Sequence, residues 1–119
     1  MYQQDYFMRI INDMARFLAK TLLGKEKTEF GLKEEETQSQ LAQLSNKLVS
    51  LISKGALNEA ENLLYEILDP ENKNYIELAL DFYGTLNNLD DEFLEKNNFS
   101  REEIEQGLKA IARKFGVPL

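Results

Sequence analysis

Asp90, Asp91, Glu92 and Glu95 form a dense run of carboxylates. Carboxylate oxygens are the donors preferred by Mg²⁺ and Ca²⁺. The run lacks the Asp-x-Asp-x-Asp-Gly spacing of a calcium loop, and a calcium ion takes six or more oxygens. Its spacing therefore predicts a solvated helix start with Asp90 or Asp91 as N-cap. Glu77 and Asp81 stand at i,i+4 in an otherwise apolar segment. Paired carboxylates are one way to build an acid/base site, because like charges that close raise one pKa. The simpler reading is that they form the narrow wet stripe of a buried helix. Tyr65, Tyr75, Phe82 and Tyr83 are spaced as core aromatics, with a ligand pocket as the alternative.

The missing residues exclude more. The sequence has no Cys, no His and no Trp. Thiolate nucleophiles, disulfides, His-based catalytic groups, ordinary zinc sites and His- or Cys-ligated iron are all excluded. No Gly-rich phosphate loop is present either. The sequence thus calls for no cofactor, no metal and no catalytic residue.

The elements that must position these residues are helices. Only Pro70 and Pro118 interrupt the chain as prolines, and no segment alternates as a strand does. A first helix is predicted from Gln3 to Leu23. Its apolar residues Tyr6, Phe7, Ile10, Ile11, Met14, Phe17, Leu18 and Leu22 share an arc of about 160° at about 100° per residue. Gly24 is its predicted C′ residue. Further helices are predicted from about Glu34 to Lys54, Asn58 to Leu68, Asn74 to Asn87, Asp90 or Asp91 to Lys96, and from Ser100 onward. The helix over 74–87 is apolar around more than half its circumference, which predicts a central place. Ser100 and Glu103 have capping-box spacing, with Phe99 and Ile104 as a staple. Gly84 and Gly107, inside helices, predict close helix crossings.

The charge is uneven. Residues 1–33 hold six basic and four acidic groups, and residues 34–119 hold eight basic and 17 acidic groups, within a net charge of −7. An acidic body of that kind argues against nucleic acid, whose phosphates need a basic surface. The organisation expected is an amphipathic helix over 1–24, a charged, Gly-containing linker over 25–36, and an acidic helical body over 37–119, within a single domain of 119 residues. Asp5, Arg9, Asp13, Arg16 and Lys20 interrupt any apolar leader, and no stretch is long enough to span a bilayer, which points to the cytoplasm.

Residues 41–86 resemble a tetratricopeptide-type helical hairpin. Tyr75, Leu78, Ala79 and Phe82 match the first-helix run, while Gly55, Ala60, Leu64, Ile67 and Asp69-Pro70 match a turn, a second helix and its terminator. The Ala60–Pro70 stretch is two residues short of the pattern, and the segment 90–98 interrupts the second unit. The opening Met-Tyr-Gln-Gln-Asp-Tyr-Phe-Met-Arg and the closing Asn-Phe-Ser-Arg-Glu-Glu-Ile resemble a family of short bacterial helical proteins without an assigned function. That resemblance implies a fold and no activity.

The expected fold is all-α, five or six helices in an orthogonal or tetratricopeptide-like bundle with a separable N-terminal helix. The expected function is a non-catalytic interaction or scaffold module that forms a homo-oligomer, a dimer, through the apolar arc of the first helix. A small carboxylate- and Mg²⁺-dependent enzyme or ligand sensor is the alternative. A peripheral membrane adaptor comes third, disfavoured by Asp5 and Asp13 on the polar face and by the lack of a Trp anchor.

Overall fold

The computed structural model describes residues 2–24, 40–69 and 71–117. The predicted linker over 25–36, with Phe30, Leu32 and the acidic run Glu34 to Glu36, lies outside the described residues. The described residues form six α-helices and no strand: α1 (Tyr2–Leu18), α2 (Gln40–Ser53), α3 (Leu57–Ile67), α4 (Lys73–Asn87), α5 (Asp91–Lys96) and α6 (Arg101–Lys114).

The boundaries follow from local chemistry. Asn72, Asp90 and Ser100 are the N-caps of α4, α5 and α6, and each side-chain oxygen accepts a backbone N–H of the first turn. At α6 the Glu103 N–H donates to Ser100 Oγ at 3.1 Å, as the capping-box spacing predicts. The reciprocal half differs. The Ser100 hydroxyl donates to Glu103 Oε1 at 3.3 Å, so the carboxylate meets the capping side chain. Three helices end in Schellman geometry. After α2, the Gly55 N–H reaches Ile52 O and the Ala56 N–H reaches Leu51 O. The same pairing recurs at Asn98 and Phe99 after α5, and at Gly116 and Val117 after α6.

The first helix departs from the predicted α-helix at its end. Residues Ala19–Leu23 widen into a π-helical turn, closed by Gly24 at φ 73°. With Ala19 fully buried, the wider turn brings both Leu22 and Leu23 against the core.

Helix α4 is central, as its apolar circumference predicts. It packs against α1 and its π-helical turn, α2 and α6. Ile76, Ala79, Leu80, Phe82, Tyr83 and Leu86 are buried along it. Helices α2 and α3 form a hairpin beside it, and α6 closes the core between α4 and α1. Phe99 and Ile104, the predicted staple, are both buried in this core.

The first helix is not set apart from the body. Ile11, Ala15, Leu18 and Ala19 belong to the same core as α4 and α6, and α1 packs on both of those helices. The physical reason is the width of its arc. The greater part of an arc of about 160° fits the apolar faces of α4 and α6, and only Tyr6 and Phe17, at one edge of it, stay exposed.

Candidate interaction surface

The apolar arc of α1 divides into two rows. Ile11 and Leu18 are fully buried, and Phe7, Met14 and Leu22 are partly buried against the core. Ile10 is half-buried at the boundary. Tyr6 and Phe17 are 62% and 50% exposed. They are the most exposed of the large hydrophobic side chains described, and Ile67 on α3 follows at 38%. Tyr6, Ile10, Asp13 and Phe17 lie within about 60° of one another around the helix. Of the eight residues expected at an interface, Tyr6, Ile10 and Phe17 therefore form the outer row, while Ile11 and Leu18 are taken up by the protein's own core. Arg9, Asp13 and Arg16 are exposed along one flank of that row.

Two polar clusters escape the sequence patterns. The first joins four helices, α1, α4, α5 and α6, at one end of the core. Arg101 is only 6% exposed, and its guanidinium fills three directions. Nη1 donates to Asn87 O at 2.7 Å and to Asn87 Oδ1 at 3.1 Å. Nη2 donates to Leu89 O, and Nε pairs with Asp91 Oδ1 at 3.1 Å. Asn87, itself fully buried, passes the connection to α1, with Nδ2 donating to Met8 O at 3.1 Å and to Asn12 Oδ1 at 3.2 Å. The planar fork of arginine suits this arrangement, because its donors point in fixed and separate directions. The buried charge is offset by the Asp91 carboxylate and three carbonyl-type acceptors.

The second cluster lies between α3, α4 and α6. The Tyr83 hydroxyl donates to Glu61 Oε2 at 2.6 Å and stands 3.0 Å from the Tyr65 hydroxyl. Tyr83 has one proton to give, so Tyr65 donates in the second contact. Gly107 O lies 3.4 Å from the Tyr65 hydroxyl as a longer alternative acceptor. Burial pushes the Glu61 carboxyl above its ordinary value. The bond from Tyr83 opposes that shift, and the nearby charge of Glu103 adds to it. Burial also raises both tyrosines, Tyr83 most strongly because Tyr65 and Glu61 adjoin it. Tyr83 is fully buried while Glu61 and Tyr65 are half-buried, and their bonds tie α3 to α4 through polar groups.

The other candidates are placed as follows. Asp90 caps α5, accepting the Phe93 N–H at 2.8 Å, and Asp91 serves Arg101. Glu92 and Glu95 are exposed beside shallow clefts. No group of three or more metal-type ligands occurs among the described residues. Glu77 and Asp81 are half-buried on α4. Phe82 is buried, and Tyr75 packs against the core in part. Among the described residues, no helix is long and apolar enough to cross a membrane.

Comparison with known proteins places this architecture. The pattern of one family of unknown function, DUF6483, matches residues 1–116. The chain belongs to the DUF6483 family. No curated protein and no solved structure matches it. The likeness to a known family over nearly the whole chain thus stands, whereas the tetratricopeptide likeness of residues 41–86 rests on its residue pattern alone. For this DUF6483 protein the matched stretch runs from the start of α1 to the C′ glycine of α6, so it includes the outer row and both polar clusters.

Proposed function

We propose that this protein is a non-catalytic interaction module of the cytoplasm that forms homodimers through the outer row of α1. The observation that carries this reading is the pair of exposed aromatics, Tyr6 and Phe17, on one face of a helix whose other face is anchored in the core. Aromatic side chains bury much area at low entropic cost and are favoured at interface centres. An anchored helix has little further entropy to lose on docking. The non-catalytic reading draws support from the lack of His and Cys in the sequence.

Light scattering and sedimentation over a range of concentrations test the reading. The expected result is a dimer that dissociates on dilution, and a Tyr6→Asp, Phe17→Asp variant that stays monomeric with unchanged helical circular dichroism. A wild-type chain that remains monomeric near millimolar concentration overturns it.

A further inference from the structure

We draw no further inference here: the strongest candidate, the exposed flank of Arg9, Asp13, Arg16 and Lys20 beside the outer row of α1, belongs to the interaction surface already described, and its mixed charges show nothing of what covers that surface.

Discussion

The phenol ring of Tyr83 occupies the space where a side chain on Gly107 would stand, so that a Cβ there would overlap Tyr83 Cζ and the hydroxyl. Helices α4 and α6 cross at this point with nothing between backbone and ring. The same ring then presents its hydroxyl to Glu61 and Tyr65 on α3, so one close approach locates three helices.

Gly107→Ala is expected to destabilise the protein by about 1–3 kcal/mol, because overpacking at the ring exceeds the gain of roughly 1 kcal/mol in helix propensity. Combined with Tyr83→Leu, which vacates the space, the loss should fall short of the sum of the single losses by at least about 0.5 kcal/mol. Urea denaturation of the four proteins measures this coupling. Additive losses would refute the crossing.

Glu61 sets the sign of a pH effect. Its carboxyl is raised above 4.5 in the folded protein, so between 4.5 and the raised value the folded state binds more protons than the unfolded state. The contribution of this group to stability is present at acid pH and declines as pH rises through that window. Glu61→Gln keeps an acceptor for Tyr83 and removes the charge. The difference in Tm between Glu61→Gln and wild type should therefore grow in favour of the variant as pH rises from 4.5. A difference that is flat with pH, or that shrinks, contradicts the assignment.

Arg101→Lys retains the charge and loses the fork. A lysine cannot reach Asp91, Asn87 and Leu89 together, so buried carbonyls lose their donor. The expected cost is about 2–4 kcal/mol in chemical denaturation. A loss no larger than that of an ordinary surface substitution would show that the clamp contributes little.

A chain beginning near Lys33 tests the place of α1. Without it, the faces of α4 and α6 that cover Ile11, Ala15, Leu18 and Ala19 meet water, and Asn87 loses Met8 O and Asn12. Circular dichroism should retain helix while the cooperative thermal transition is lost. A sharp, two-state transition would show instead that the body folds without α1.

Helix type and most helix ends were legible in the sequence because their causes lie within one turn of chain. Asp90, Ser100, Gly55 and Gly116 cap or terminate their helices through bonds to residues three to five positions away. The central place of α4 was legible too, since an apolar circumference needs cover on every side. What the sequence left open depends on partners far along the chain. Arg101 reads as an ordinary first-turn residue until the tertiary structure sets Asn87, Leu89 and Asp91 around it. Glu61 reads as an exposed acid until Tyr83 meets it from 22 residues away. The arc of α1 was visible, but its division was not. Periodicity reports how wide an apolar face is, whereas the half that is buried is decided by which surfaces α4 and α6 bring to it. That choice places Ile11 and Leu18 in the core and leaves Tyr6 and Phe17 outside.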